Sequence, residues 1–160
     1  MDPRNKIYNL NAFKFQHALK ELIGDKYNDF NDLIIQHSAL IIGKGPVDIL
    51  VNEPLKEIDI YVSKKNFIQF TNEFKKLSSD IKLVDQLFSD DHKLLCVYPK
   101  FFYKHVVINI FGSIFDQLRD PVDLGMTCNQ LWYDGKIIKT THFETLDKIS
   151  YYNSDKNFSY

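Results

Sequence analysis

Two carboxylates alternate with apolar residues in the segment EIDIYV at 57–62. Strict alternation predicts a β-strand, in which Glu57 and Asp59 share one face and the isoleucines share the other. If the isoleucine face packs on helices, the two carboxylates lie about 7 Å apart on the opposite face. They can then converge on a divalent cation such as Mg²⁺, which prefers oxygen ligands. An ordinary strand with a polar face has the same pattern, so the acids alone do not identify a metal site.

A glycine-containing turn precedes this strand. The segment SALIIGKG at 38–45 predicts a buried strand that runs into Gly43, Lys44 and Gly45, and Pro46 suits the first position of a short helix. Backbone N–H groups, a helix N-terminus and the lysine then point at one region, which favours phosphate binding. The segment is not a P-loop, because its glycine spacing differs and no Lys-Ser/Thr pair ends it. A tight turn that needs glycine only for its conformation is the alternative.

Taken together, residues 40–62 resemble the opening of the nucleotidyltransferase superfamily, in the form found in CCA-adding enzymes and bacterial-type poly(A) polymerases. That pattern is an apolar strand, Gly-Gly, Arg-Asp in a short helix, Pro and Lys, and then Asp-apolar-Asp. The matching positions here are Gly43, Asp48, Pro54, Lys56, Glu57 and Asp59. The resemblance implies that Mg²⁺ binds at Glu57 and Asp59, and that the phosphates of an NTP bind at 43–45 with Asp48 nearby.

A second segment, MTCNQLWYDGKII at 126–138, is similar to a strand pair of the same family. The matching positions are Thr127, Asn129, Leu131, Tyr133 and Asp134. The resemblance implies that Asn129 orients the nucleotide. Between the two motifs, HVVINIF at 105–111 occupies the place of the central strand that carries the third family acid. That position is Asn109 in this chain.

Several family positions carry a different residue. The second glycine is Lys44, the arginine is Val47, the first metal acid is Glu57, and DLGM at 123–126 replaces Arg-Arg-Asp. The largest chemical change is Asn109, because the third acid of such enzymes helps hold a metal and acts as the general base. An amide cannot accept that proton. The departures favour a degraded catalytic site.

Two functions remain open at this point. The first is a protein of this fold with a degraded site and a binding or regulatory role, in which a protein partner or a second copy of the chain is bound. The alternative is an active Mg²⁺-dependent enzyme that moves a nucleotide from an NTP to a hydroxyl on nucleic acid, protein or a small molecule. Few residues follow the second motif, whereas family enzymes that hold RNA continue into helical domains.

The elements that must position these residues form an α/β or α+β domain spanning 1–160, with a mixed sheet and helices mainly on one face. Predicted helices cover 11–22, 30–36, 46–52 and 64–78, with one or two helical turns in 113–120. Predicted strands cover 82–88, 93–98 and 105–111, and the cluster FFYKH at 101–105 is placed in a connection. A hairpin with Asp134-Gly135 as its turn follows. The strands at 57–62 and 105–111 must be neighbours for the site to exist.

Composition narrows the possible partners. The chain has 160 residues and a net charge of −1, so no global basic field recruits nucleic acid or an anionic membrane. No apolar run approaches the roughly 20 residues that span a bilayer. Cys96 and Cys128 lie in apolar segments and are predicted to be buried thiols, and no Cys/His spacing resembles a zinc site. An intracellular, soluble protein is expected, and the Lys, Ile, Asn and Tyr bias suggests a large DNA virus and hence the host cytoplasm.

Overall fold

The computed structural model describes residues 7–118, 121–124 and 131–141. The α-helices are α1 (Phe13–Ile23), α2 (Tyr27–Gln36), α3 (Lys44–Leu50) and α4 (Phe67–Lys75), and short 3₁₀ helices cover Gly24–Lys26 and Pro121–Leu124. The strands are β1 (Tyr8–Leu10), β2 (Leu40–Ile42), β3 (Glu57–Val62), β4 (Ile81–Phe88), β5 (Val97–Tyr103), β6 (Val106–Gly112), β7 (Leu131–Tyr133) and β8 (Ile138–Thr140). Within these residues no helix is long and apolar enough to cross a bilayer.

All eight strands belong to one mixed sheet, with the order β1-β8-β7-β2-β3-β6-β5-β4. Only β3 and β6 are parallel, and every other neighbouring pair is antiparallel. A parallel neighbour requires a crossover, and here α4 and the β4–β5 hairpin form it. The predicted mixed α+β sheet is therefore confirmed.

Residue alternation divides the core between the two faces of the sheet. Ile58 and Ile60 of β3 are fully buried against a core to which all four helices contribute. The opposite face has a smaller core around Ile42, Tyr61 and Trp132, to which none of these four helices contributes a buried residue. The helices thus pack mainly on one face, as the alternation in β3 predicted.

Two phenylalanines of α4 are part of the main core. Phe70 and Phe74 are fully buried, and the Phe74 ring packs 5.2 Å from that of Phe101. The helix is shorter than its periodicity predicted, because the Lys64 N–H donates to the Phe115 carbonyl at 2.9 Å. This contact joins Lys64 to the bend that follows β6 before the helix begins.

The strand predicted at 93–98 is wrong in position. β5 begins at Val97, so Phe101 and Tyr103 lie in the strand and not in a connection, and both are buried. Pro99 is tolerated because it pairs only with Gln86 of β4, whereas the pairing of β5 with β6 begins at Lys100. A strand position without a neighbour on one side does not need the missing N–H.

Three smaller expectations also fail. The hairpin turn is centred one residue later than predicted, on Gly135 and Lys136, because the Asp134 N–H donates to the Ile137 carbonyl at 3.3 Å. Residues 113–118 contain a bend at 114–116 and no helical turn. Cys96 is exposed and not buried, while Cys128 lies outside the described residues.

Candidate functional site

The parallel pairing of β3 with β6 brings the two predicted acids and the predicted third position together. Asp59 is registered directly opposite Asn109, and Glu57 lies two residues earlier on the same face. Glu57, Asp59 and Asn109 are called the acid site below. The expectation that these three residues lie together on one face of a mixed sheet is confirmed, while their chemical roles stay a prediction.

Asn109 occupies the centre of the acid site. Its Nδ2 donates to Glu57 Oε1 at 3.1 Å and to Asp59 Oδ1 at 3.0 Å, so one amide group connects both carboxylates. The side chain is almost completely buried, and its Oδ1 has no hydrogen-bond partner. An amide nitrogen carries two hydrogens, which matches the two acceptors. The nitrogen therefore takes the place between the acids that a shared cation would need.

The acid site raises the proton affinity of Asp59. Burial, the largest cause, and the negative charge of Glu57 together raise the pKa of this carboxyl from 3.8 to about 6. The Asn109 hydrogen bond and the positive charge of Lys44 act in the opposite direction. Asp59 is half-buried, although it lies on the face of β3 opposite the main core.

The two glycines at the start of α3, one before the helix and one in its first turn, are needed for different structural reasons. Gly43 has φ +87°, and a Cβ there would meet nothing within 4 Å, so glycine is needed for the backbone conformation alone. Gly45 is buried, and its Cβ would lie 2.9 Å from the Glu57 carbonyl oxygen. Gly45 therefore lets α3 approach the start of β3 closely. Neither glycine requires a phosphate to explain it.

The predicted phosphate cradle is only partly available in this conformation. The Gly43 N–H donates to the Leu131 carbonyl at 2.9 Å and is not free for an anion. α3 begins at Lys44, two residues before the predicted start, and Pro46 in its first turn has no N–H to offer. Lys44 is exposed and close enough to lower the pKa of Asp59. Phosphate binding by residues 43–45 remains a prediction, with Lys44 as its main support.

The two other predicted nucleotide-binding residues do not join the acid site in the described part of the chain. Asp48 is half-buried in the middle of α3 and is not among the charges that shift Asp59. Asn129 lies outside the described residues. Their roles stay predictions.

An aromatic row beside the acid site was not predicted. Tyr61 stacks on Phe111 with ring centroids 4.8 Å apart, and Tyr98 lies 4.3 Å from Phe111 on its other side. Tyr61 lies two positions after Asp59, and Phe111 lies two positions after Asn109. Alternation along both strands could have shown this row, which closes one side of the site with apolar surface.

The acid site as arranged does not suit Mg²⁺. Mg²⁺ needs near-octahedral oxygen ligands at short distance, but Asn109 presents N–H groups to the acids and its oxygen elsewhere. Among the described residues no group of three or more His, Cys, Asp or Glu side chains is placed to hold a metal ion. The two carboxylates are joined instead through the amide nitrogen of Asn109, whose oxygen has no partner.

Comparison with known proteins adds no relative. No family model matches the chain, no curated protein is significantly similar to it, and no solved structure matches its fold.

Proposed function

We propose that this chain is a divergent nucleotidyltransferase-fold protein whose catalytic site is degraded and which has a binding or regulatory role. Two degenerate motifs in the family order support the relationship. The neighbouring positions of β3 and β6 support it too, because they put Asp59 and Asn109 opposite each other as the motif alignment requires.

The loss of catalysis rests on one observation, the amide of Asn109 between the two carboxylates. Its hydrogen bonds of 3.0 and 3.1 Å use the oxygen atoms that would otherwise face a metal. A nucleotide transfer of this kind needs a metal to neutralise phosphate charge and a base to accept the proton of the attacking hydroxyl. Asn109 can serve as neither a proton acceptor nor an anionic ligand.

The neighbouring charges also favour binding over transfer. The family arginine is Val47, so Lys44 is the cation that the described structure places near the acids. One exposed lysine neutralises little of a triphosphate, and preorganised charges supply much of the rate in such reactions. An NTP remains a possible ligand in this role, and so do a protein partner and a second copy of the chain. The net charge of −1 gives the chain no overall positive field that would attract nucleic acid.

The test compares Mg²⁺ and Mn²⁺ binding by the wild type and by Asn109→Asp, using titration calorimetry. The wild type is expected to bind neither ion, whereas Asn109→Asp, with three carboxylates, is expected to bind both. Asn72→Asp is the matched control, because it makes the same chemical change at an exposed position of α4. In chelator the Asn109→Asp protein should melt below the wild type, and saturating metal at about 100 times its Kd should restore about 2.7 kcal/mol.

Nucleotide transfer from labelled NTPs is measured on the same proteins. No turnover is expected from the wild type, and trace turnover from Asn109→Asp, since a general base contributes about 10²–10⁴-fold in rate. Robust wild-type transfer that disappears in Asp59→Ala would contradict the degraded site and establish the active Mg²⁺-dependent enzyme instead. Metal binding that neither Asn109→Asp nor Asp59→Ala alters would show that the metal binds outside the acid site.

A further inference from the structure

The last strand of the sheet, β4, has an unpaired outer edge. β4 lies at the end of the strand order and pairs only with β5, and no other strand in the described part of the chain covers its far side. Its eight residues, Ile81–Phe88, are long for an edge strand. Such an edge offers a row of backbone donors and acceptors to a further strand.

The side chains of β4 leave apolar surface in water at this edge. Leu83 and Val84 are each about half exposed, and Phe88 is 79% exposed. On β5, Val97 and Phe102 are also exposed. Isolated exposed apolar residues are ordinary, but a group along one open strand edge is typical of a pairing surface.

A β-bulge arranges the charges of this edge in a particular way. The register between β4 and β5 shifts at Val84, so Lys82 lies opposite Phe102 and Asp85 lies opposite Lys100. Since Phe102 and Lys100 are two residues apart, Lys82 and Asp85 share one face of the sheet, although three positions separate them. Without the extra residue they would point to opposite faces.

This pattern is complementary to itself. Antiparallel pairing of two β4 strands about a two-fold axis between Leu83 and Val84 puts Lys82 of each copy opposite Asp85 of the other. The same axis puts Leu83 opposite Val84 twice, so two opposite-charge pairs flank an apolar centre. Cross-strand pairs of both kinds stabilise sheets, and a two-fold interface must be self-complementary in this sense.

The charges at this edge have no competing ion pair among the described residues. Asp85 Oδ1 accepts the Gln86 N–H at 2.8 Å, which leaves the second carboxylate oxygen for a partner. Lys82 and Asp85 are both exposed and belong to none of the ion pairs within residues 7–118, 121–124 and 131–141.

We propose that β4 pairs with β4 of a second copy, in antiparallel register about an axis between Leu83 and Val84, to form a two-fold dimer with a continuous sheet. The inference adds a partner to the proposed binding role, and its test uses neither metal nor nucleotide, so either proposal can fail without the other. The acid sites of the two copies lie on the same sheet, on the third and fourth strands from the dimer axis.

The experiment measures the mass of the wild-type chain by sedimentation velocity over a wide concentration series. A concentration-dependent dimer is expected. Lys82→Asp and Asp85→Lys each place like charges opposite one another twice, and each should weaken the dimer about tenfold or more. Lys65→Asp, an exposed charge change away from β4, is the control and should leave the dimer unchanged.

Charge exchange then tests the register itself. The double variant Lys82→Asp/Asp85→Lys restores both opposite-charge pairs and should dimerise like the wild type. An equimolar mixture of the two single variants should form a heterodimer, because both acidic positions of one chain face both lysines of the other. Circular dichroism of each protein confirms that it is folded before its mass is interpreted.

Two outcomes would overturn the proposal. A wild type that stays monomeric at every concentration would show that β4 does not pair with a second copy, and a strand of a different protein would be the remaining partner for this edge. A dimer that tolerates both single substitutions and also Val84→Lys would have its interface elsewhere on the molecule.

Discussion

The acid site and the β7–β8 turn at 134–137 each contain a half-buried aspartate near a lysine, but they treat the carboxylate in opposite ways. Burial acts to raise the pKa of Asp134, yet the backbone N–H groups of Ile137 and Lys136 and the Lys139 ammonium together lower it. These N–H groups lie 3.0 and 2.9 Å from Oδ1, and Lys139 Nζ lies 3.2 Å from Oδ2. Burial also acts on Asp59, but its one amide partner and one nearby lysine do not offset it, and the pKa rises to about 6.

The charged carboxylate of Asp134 stabilises the fold, whereas the charged carboxylate of Asp59 destabilises it. Every partner of Asp134 comes from the five residues that follow it, so the turn satisfies its own charge. Asp59 depends on Asn109, fifty positions away in the chain, and has the like charge of Glu57 beside it. Groups that remain unfavourable in the folded state are more frequent at functional sites than in structural turns, which is consistent with the binding role proposed above.

The glycines sharpen the comparison and give the largest expected effect. Gly135 combines φ +100° with a Cβ position that would overlap Ile35 Cγ1, whereas Gly43 has φ +87° and open space. Gly135→Ala should therefore lower the free energy of unfolding by about 2–4 kcal/mol through strain and overlap together. Gly43→Ala should lower it by about 1–2 kcal/mol through backbone strain alone. Urea unfolding of both variants measures the difference. Equal losses of unfolding free energy would show that the chain is no more tightly packed around Gly135 than around Gly43.

The second prediction concerns Asp59 and pH. Because its folded pKa of about 6 exceeds the ordinary 3.8, the folded state favours the protonated form, and wild-type stability falls as pH rises from about 4 through 6. A shift of this size corresponds to at most about 3 kcal/mol, and partial exposure reduces it to about 1–2 kcal/mol. Asp59→Asn removes the titration and keeps an oxygen to accept from Asn109.

Asp59→Asn should thus be more stable than the wild type at pH 8 by about that amount, and nearly equal to it at pH 4. Chemical denaturation at both pH values measures the two differences. A variant that is less stable than the wild type at pH 8 would mean that the carboxylate is satisfied in the folded state, and the contrast with Asp134 would fail.

Much of the site geometry could be predicted from the sequence because it follows from alternation. The period of two in β3 put Glu57 and Asp59 on the face opposite Ile58 and Ile60, and the motif order placed Asn109 beside them. The direction of the Asn109 amide could not be predicted, since an asparagine can present either its oxygen or its nitrogen. Only the positions of both carboxylates around it decide which one faces them.

The errors in the fold have a similar origin. The strand at 93–98 was misplaced because Pro99 reads as a strand boundary unless it is known to lie where β5 has only one neighbour. Cys96 was expected to be buried because its neighbours are apolar, but burial depends on what covers a segment. The late start of α4 depends on the contact of Lys64 with Phe115, which no local pattern contains.

The third prediction, with the smallest effect, tests the other side of the comparison at Asp134. Asp134→Ala leaves the N–H groups of Lys136 and Ile137 without an acceptor and should lower the free energy of unfolding by about 1–2 kcal/mol. Asp134→Asn keeps the accepting oxygen and loses only the charge, so its loss of unfolding free energy should be smaller.

Because the folded pKa of Asp134 is below 3.8, the charge stabilises the fold above that pH and ceases to do so as pH falls through the folded value. Thermal melts at pH 7 and pH 3 should therefore show a loss for Asp134→Asn that shrinks in acid, the reverse of the pH dependence expected for Asp59→Asn. Parallel pH profiles for the two asparagine variants would refute the distinction between the turn and the acid site.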